Sequence, residues 1–365
     1  MLAGVTLLTL ARDLGVSRAT VSNAYNHPDQ LSPALRARIL RRAAELGFAG
    51  PDPLARGLRR GRVGAVGVLV DEGLSYAFSD PATVLFLDGL ARELQTDGVG
   101  LLLHAGVNGQ LNLDPIRNAA VDAWVIQSLP DGHPAVDAVR ARRQPVVVLD
   151  QPALADVPLV GIDDAKGAAS AVRHVVKLGH RRLAVISMPL QADGRHGLAD
   201  ASRQQSATYR VMRERLAGAA AAAGAAGIDW ASVPVFECAA NDPEAGTLGA
   251  RELLATGRMP TAILAFSDQL ALGALSAARE AGIAVPAALS VVGFDDSPAA
   301  RSAVPSLSTV AQPLLDRGRA VGVLVRALLG GQSVVTPAPY PVRFVARDSS
   351  AAAPQVRRRS ASNRR

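Results

Sequence analysis

The chain has 365 residues, of which 49% are hydrophobic, and a formal net charge of +7. Its one cysteine, Cys238, excludes an internal disulfide and favours a reducing compartment. Because no apolar run reaches transmembrane length and no secretory leader is evident, we expect a cytoplasmic protein without a membrane partner.

The positive charge is concentrated at the two ends of the chain. Ten arginines against four acidic residues give residues 1–62 a net charge of +6, and five arginines without an acid give the residues from Ser349 a charge of +5. The chain between them therefore carries −4. A basic head on a mildly acidic body predicts a polyanionic partner for the head.

Two short amphipathic helices joined by a glycine are predicted near the N-terminus. The apolar face of the first helix consists of Leu7, Leu10, Ala11 and Leu14. Gly15 ends this helix, Ser17 is placed to cap the next one, and Val21 and Ala24 turn inward from it. This pattern is typical of a helix-turn-helix, whose second helix enters the major groove of DNA. A small helical hairpin with a solvated polar face is the alternative.

The outer face of the second helix is predicted to contact DNA. Arg18, Ala19 and Asn23 share this face without any acidic residue, and we expect them to read bases. Contacts to the DNA backbone are expected from Thr6, Leu7, Ser17, Thr20, Ser22 and Asn26.

A third helix is predicted from Pro33, with Ser32 as its cap, to Gly47. Its apolar stripe consists of Leu35, Ile39, Ala43 and Leu46. Its outer side carries arginines that could contact phosphates or face solvent, namely Arg36, Arg38, Arg41 and Arg42.

Residues 50–62 form a basic linker stiffened by prolines, with one or two turns of possible helix. A helix this short is marginal in water, and Gly57 weakens it further, so it should order only against a partner. An exposed leucine among arginines suits a DNA minor groove. The expected groove contacts are Leu54, Ala55, Arg56 and Leu58. An ordinary interdomain linker is the alternative.

Nine short apolar runs alternate with helical segments between residues 63 and 348. These runs are 65–71, 100–105, 123–129, 145–151, 159–163, 182–187, 234–238, 262–268 and 290–296. Unbroken valine, isoleucine and leucine runs separated by helices predict parallel sheets covered on both faces. About 290 residues are too many for one such sheet, so we expect two α/β lobes.

Acidic residues end several of these runs: Asp71, Asp150, Asp163, Asp268, Asp295 and Asp296. Open α/β sheets bind ligands at the carboxyl ends of their strands. A carboxylate can accept two hydroxyl hydrogen bonds, so this recurrence favours a sugar or nucleoside ligand. A single acid at a strand end is more often a helix cap or turn residue.

Motifs for enzymatic chemistry are absent from the sequence. There is no phosphate loop, nucleophile elbow, HExxH or GxGxxG after a strand, and the histidines lack metal-ligand spacing. We therefore expect no cofactor, no metal and no enzymatic activity. An α/β enzyme fused to a helical head and a solute-binding protein are the alternatives.

Five motifs, taken in order along the chain, resemble the lactose-repressor (LacI/GalR) family of bacterial transcription regulators. They are VSRATVS, LARGLR, KLGHRRLAVI, SDQLALGAL and LSVVGFDD, and the resemblance covers roughly residues 5–348. It implies a periplasmic-binding-protein-like fold, in which two lobes joined by crossing strands enclose a ligand cleft.

The resemblance also implies the effector contacts. It places Asp150, Arg213 and Asp295 in the cleft, together with Ser267, where the family often has asparagine. Residues 75–89 match the first cleft loop and helix, where Tyr76, Phe78 and Phe86 could stack on a ring or belong to the core.

We therefore expect an N-terminal all-α helix-turn-helix head followed by an α/β core with parallel sheets. The expected segments are a head at 1–49, a hinge at 50–62, a core at 63–348 and a disordered basic tail at 349–365. The expected first lobe holds about 63–163 and 295–325, and the second about 164–294 and 326–348. The implied function is a repressor that binds a near-palindromic double-stranded operator as a homodimer and responds to a small effector.

Overall fold

The computed structural model describes residues 5–48, 50, 62–106 and 112–355. The chain divides into two compact units, Met1–Gly64 and Ala65–Arg365. The hinge contacts expected from Leu54, Ala55, Arg56 and Leu58 lie outside the described residues, as does Gly57.

The first unit contains three helices in its described part: α1 (Leu7–Leu14), α2 (Arg18–Asn26) and α3 (Pro33–Glu45). The predicted ends of these helices are confirmed. The backbone N–H of Thr20 donates to the Ser17 hydroxyl at 3.0 Å, and Gly15 closes α1 with φ 66°. The predicted inward face is also confirmed, because the buried side chains are Leu10, Ala11, Val21, Ala24, Ile39 and Ala43.

Most of the arginines on α3 hold the head together. Arg36 Nε donates to the Ala24 carbonyl at 3.2 Å, and Arg38 Nη2 donates to the Leu14 carbonyl at 3.3 Å. Arg42 forms an ion pair with Asp13 at 2.5 Å. Arg36 and Arg38 are exposed as well as bonded to the other helices, so both roles that the sequence left open, phosphate contact and a solvent-facing position, remain predictions.

The second unit contains two sheets. Its strands are β1 (Ala65–Val70), β2 (Gly100–Ala105), β3 (Ala123–Gln127), β4 (Val146–Leu149), β5 (Leu159–Val160), β6 (Leu183–Ser187), β7 (Gly197–Leu198), β8 (Val235–Glu237), β9 (Ala262–Ala265), β10 (Ser290–Asp295), β11 (Ser308–Ala311) and β12 (Arg343–Val345). All nine predicted runs form strands. The sequence patterns missed β7, β11 and β12, which are only two to four residues long.

The helices of this unit alternate with the strands. They are α4 (Leu74–Ser79), α5 (Pro81–Leu94), α6 (Leu113–Asn118), α7 (Pro134–Ala141), α8 (Asp164–Lys177), α9 (Ala201–Gln205), α10 (Arg210–Ala225), α11 (Pro243–Leu254), α12 (Asp268–Glu280), α13 (Pro298–Ser302) and α14 (Leu314–Leu329). No helix within the described ranges combines the length and the apolar character that crossing a bilayer requires.

Each sheet forms the centre of one lobe. In the described part of the chain, the lobe 1 sheet has the order β2-β1-β3-β4-β5 and is parallel throughout. The lobe 2 sheet has the order β12-β11-β10-β9-β6-β8-β7 and is parallel except at its two edges. Both sheets are covered by helices, as their continuous apolar strands predict.

The expected lobe boundaries need correction. β10 and β11 pair within the lobe 2 sheet, where Val292 lies opposite Ser308, so residues 295–311 belong to lobe 2. α14 belongs to lobe 1 over its whole length because it packs against α5. A Cβ added to Gly318 would lie 2.2 Å from the Phe86 carbonyl oxygen, so only glycine permits this approach.

The expectation of a disordered tail from residue 349 is wrong for its first residues. The Ser349 hydroxyl donates to the Val291 carbonyl at 2.6 Å and accepts from the Ser308 N–H at 2.8 Å. His180 Nε2 and the Ala351 carbonyl are 2.9 Å apart. These residues therefore complete lobe 2, whereas residues 356–365 lie outside the described part.

Candidate ligand cleft and nucleic-acid interface

The outer face of α2 carries the side chains expected to read bases. Arg18 and Ala19 are exposed, and Asn23 is half-buried. Asn23 Nδ2 donates to Gln30 Oε1 at 3.0 Å, a contact from the turn after α2 that the sequence patterns did not indicate. This bond leaves the Asn23 carbonyl oxygen to accept from another group.

The residues expected to contact the DNA backbone surround this face. Thr6 caps α1, and the Ser17 and Thr20 hydroxyls lie 2.8 Å apart at the start of α2. Asn26 Nδ2 donates to the Ser22 hydroxyl at 3.0 Å. Leu7 is half-buried against the head core. The first turns of α1 and α2 thus present short polar side chains, which suit phosphate contacts.

A cavity of about 160 Å³ lies between the two lobes. The carboxyl ends of the strands supply much of its wall: Asp71 follows β1, Gln127 ends β3, Asp150 follows β4 and Asp295 ends β10. Asp150 and Asp295 have φ values of 65° and 128°, which residues with a Cβ seldom adopt. Such backbone strain, about 1–3 kcal/mol at each position, is typical of functional sites.

Two buried arginines hold the carboxylates at the base of this cavity. Arg317 of α14 pairs with Asp150 and donates to Gln312, which in turn donates to Asp295 Oδ1 at 2.6 Å. The second arginine is Arg215 of α10. It pairs with Asp164, behind the cavity wall, at 2.8 Å, and its guanidinium carbon lies 3.7 Å from the centre of the Phe294 ring.

A second acidic group, Asp71, Glu72 and Asp80, lines the cavity where β1 ends and α4 and α5 begin. Burial raises the pKa values of Asp71 and Asp80. It also raises the pKa of Glu72 to about 8, with further contributions from the negative charges of Asp80, Asp71 and Asp242. These carboxyl groups therefore repel one another and lack a nearby cation in the cavity wall described here.

Hydrogen bonds between the lobes close the cavity. Tyr209 of lobe 2 donates its hydroxyl proton to Asp71 of lobe 1. Asn241 Nδ2 donates to the Tyr76 hydroxyl at 2.8 Å, beside the same acidic group. Because these contacts join the two lobes directly at the cavity wall, opening the cleft would break them.

Some buried polar atoms of the cavity wall have no hydrogen-bond partner within the described ranges. They are Asp71 Oδ1, Gln127 Oε1 and Arg317 Nε. A buried polar group without a partner costs about 1–3 kcal/mol. A polar ligand in the cavity would remove this cost.

Two of the five expected effector residues, Asp150 and Asp295, line the cavity. The other three, Arg213, Ser267 and Phe78, lie outside the cavity wall. Arg213 is 40% exposed and pairs with Asp131 at 3.2 Å outside the cavity. Residues two apart on an α-helix point about 200° apart, so Arg215 faces the cavity in its place.

Ser267 and Phe78 also lie away from the cavity wall. The Ser267 hydroxyl caps α12 by accepting from the Leu270 N–H at 3.1 Å, and it donates to Asn241, which lines the cavity. Phe78 is 66% exposed on the outside of α4. The other two aromatic residues that the sequence offered for stacking, Tyr76 on the same short helix and Phe86 on α5, line the cavity.

Sequence reasoning missed several lining residues. Glu72 carries the same signal as Asp71, since both follow a strand run. Arg317 lies within an apolar helix and is only 1% exposed, and nothing in its local pattern distinguishes it from a surface arginine. In the described part of the chain, no group of three or more histidine, cysteine or acidic side chains is arranged to hold a metal ion.

A capped helix with an outward polar face and a two-lobed core closed around a polar cavity define a ligand-responsive DNA-binding protein. Comparisons with known proteins agree. The family profile described as "Periplasmic binding protein-like domain" matches residues 172–350. HTH-type transcriptional regulator Rv3575c of Mycobacterium tuberculosis is 44% identical over 88% of this chain and 90% of its own length. IpsA of Corynebacterium glutamicum is 41% identical over 84% of this chain and 87% of its own.

Solved structures show the same relationship. A LacI-family regulator from Corynebacterium glutamicum has a TM-score of 0.72 and 35% identity, covering 95% of this chain and 98% of that one. The lac repressor dimer bound to operator and the anti-inducer ONPF has a TM-score of 0.75 and 25% identity, and the match covers 96% of this chain and 100% of that one. The chain therefore belongs to the LacI family of helix-turn-helix transcriptional regulators. It is a DNA-binding regulator and not an enzyme, as the resemblance of its motifs predicts.

Proposed function

We propose that this protein is a repressor whose affinity for its operator changes when a small polar effector of the sugar or nucleoside class occupies the cleft. The observation that carries this proposal is the buried cavity with unpartnered polar atoms on Asp71, Gln127 and Arg317. A neighbouring structure supports it: the regulator CelR, 27% identical with a TM-score of 0.68, is in complex with cellobiose.

The head acts on DNA as a homodimer in this proposal. The lac repressor binds its operator as a dimer, and a two-fold axis would present two α2 helices to successive major grooves of a near-palindromic site. Arg18, Ala19 and Asn23 read the bases. Thr6, Leu7, Ser17, Thr20, Ser22 and Asn26 hold the backbone, and Leu54, Ala55, Arg56 and Leu58 contact the minor groove. Because its target is the chromosome, we place the protein in the cytoplasm with the nucleoid.

Effector and operator are coupled through the lobes. The chain enters lobe 1 at β1 directly after the first unit, so a change in lobe closure reaches the hinge through continuous backbone. Asp71 and Tyr76 bind lobe 2 residues next to the cavity, and a ligand there changes the balance between closed and open forms. Such coupling is typically about 1–3 kcal/mol and is reciprocal, so operator DNA changes effector affinity by the same factor.

The test is a selection of operator sites from randomised duplex DNA with the full chain, followed by gel shifts at fixed salt. We expect a near-palindromic site that is bound more tightly than random DNA. A panel of sugars and nucleosides should contain a compound that changes operator affinity but leaves binding to random DNA unchanged. Affinities that are equal for selected and random DNA would contradict the proposal.

A further inference from the structure

Most of the unpartnered polar atoms in the cavity wall are hydrogen-bond acceptors. Asp71 Oδ1 and Gln127 Oε1 are buried acceptors without a partner in the part of the chain that the structure describes. The Gln127 amide N–H is already committed, because it donates to Thr83 Oγ1 at 3.1 Å. Arg317 Nε is an unpartnered donor at the base of the cavity. A ligand that fits this wall must therefore bring several donors of its own.

The charge of the cavity wall also disfavours an anionic ligand. Among the described residues, the lining carboxylates are Asp71, Glu72, Asp80, Asp150 and Asp295, and the lining guanidiniums are Arg215 and Arg317. Both guanidiniums already pair with a carboxylate, Arg215 with Asp164 at 2.8 Å and Arg317 with Asp150. Burial raises the pKa of Glu72 to about 8, so this group is largely uncharged at neutral pH. Asp71 and Asp80 have no guanidinium partner in the part of the chain that the structure describes, so an incoming anion would meet their negative charge at low dielectric.

Part of the wall is apolar. Val70, Phe86, Leu149, Met212 and Leu314 contribute to the cavity. An apolar surface beside polar groups suits a ring that has C–H bonds on its face and hydroxyl groups on its rim. Hydroxyl groups donate as well as accept, whereas phosphate and carboxylate groups at neutral pH offer acceptors and negative charge.

We infer that the cleft selects a polyhydroxylated effector without negative charge and rejects phosphorylated or carboxylated compounds of the same size. This inference rests on the proposed function, because it takes the cleft to be the effector site. The hydrogen-bonding groups and the charge of the cavity wall narrow the class of effector. Hydroxyl donors directed at Asp71 and Gln127 supply the partners that these acceptors lack.

The experiment measures thermal unfolding of the full chain with matched compounds. The library pairs each neutral monosaccharide, disaccharide, cyclic polyol and nucleoside with its phosphate ester or its carboxylate derivative, and it includes amino sugars. Every stabilising compound is expected to lack negative charge, and its anionic counterpart should give no stabilisation at the same concentration. An anionic compound that stabilises the protein and changes operator affinity would overturn the inference and leave the proposed function standing. A library without any stabilising compound would overturn both.

Substitutions test whether residues of the cavity wall cause this selectivity. Asp71→Asn keeps the size of the side chain and removes its charge, so the neutral effector should bind roughly tenfold more weakly because a charged acceptor is lost. The same variant should discriminate less against the anionic counterpart. Asp137→Asn is the matched control, because Asp137 is an exposed acid of α7 outside the cavity. Unchanged discrimination in Asp71→Asn would overturn the inference.

Discussion

The face of α2 and the wall of the cleft are both polar, but they are built in opposite ways. The α2 face belongs to one helix, and its side chains are exposed or half-buried over a small apolar core. The cleft wall draws residues from several strands and helices of both lobes, and it buries carboxylates beside one another. A surface for a large partner can therefore be specified by one segment, whereas an enclosed ligand site requires an assembled tertiary structure.

The largest effect should separate two arginines of α10. Arg215 is buried and its loss leaves Asp164 as an uncompensated buried charge, so Arg215→Ala should lower the free energy of unfolding of the core by about 3–5 kcal/mol. Arg213→Ala removes an exposed pair and should cost less than about 1 kcal/mol. Urea unfolding followed by tryptophan fluorescence measures both losses of stability, because Trp124 and Trp230 belong to the second unit. Equal losses of stability in the two variants would contradict the orientation of α10, in which Arg215 is buried and Arg213 is exposed.

A comparable change in the head should leave the core unaffected. Ile39 is fully buried, and Ile39→Ala should cost about 2–5 kcal/mol, enough to unfold most of so small a unit. Operator binding should be lost, while the urea midpoint of the tryptophan fluorescence transition should stay the same. Leu8→Ala, at a position 47% exposed, is the control and should retain operator binding. A lower tryptophan midpoint in Ile39→Ala would mean that the two units unfold together.

A third prediction tests base reading by the α2 face. Asn23→Arg should change the preferred base at one position of each half-site by about 1–3 kcal/mol, because asparagine pairs with adenine and arginine with guanine. Gln30→Ala should weaken the preference at that same position, since Gln30 holds the Asn23 amide at 3.0 Å. Site selection with each variant measures the change. Arg41→Ala, on α3, should leave the preferred bases as they are. An identical preference in Asn23→Arg would remove Asn23 from the base-reading residues.

A fourth prediction concerns pH and the crowded carboxyl groups of the cleft. The pKa of Glu72 rises from its usual 4.5 to about 8, so between these values the folded core keeps a proton that the unfolded chain has lost. The free energy of unfolding should therefore decrease as the pH rises through this window. Glu72→Gln should make the decrease shallower without abolishing it, because Asp71 and Asp80 are also raised. Parallel urea midpoints for the two proteins between pH 5 and pH 9 would contradict this.

The sequence alone determined the features that depend on neighbouring residues. The caps at Ser17 and Ser32 and the turn at Gly15 follow from backbone hydrogen bonds within one turn of a helix. The nine apolar runs became strands because continuous burial leaves a strong local pattern. Asp150 and Asp295 are two of six acidic residues at strand ends, and the resemblance to the LacI family singled them out as cleft residues.

Tertiary structure decided what lies far apart in the sequence or depends on orientation. Arg215, and not Arg213, faces the cavity because the packing of α10 fixes its rotation, and both arginines fit the same sequence pattern. Residues 295–311 belong to lobe 2 because β10 and β11 pair with each other. Ser349 is ordered because its hydroxyl finds Val291 and Ser308, some 40 to 60 residues earlier in the chain. Hydrogen bonds between such distant segments leave no periodic signal in the sequence, so only the folded chain reveals them.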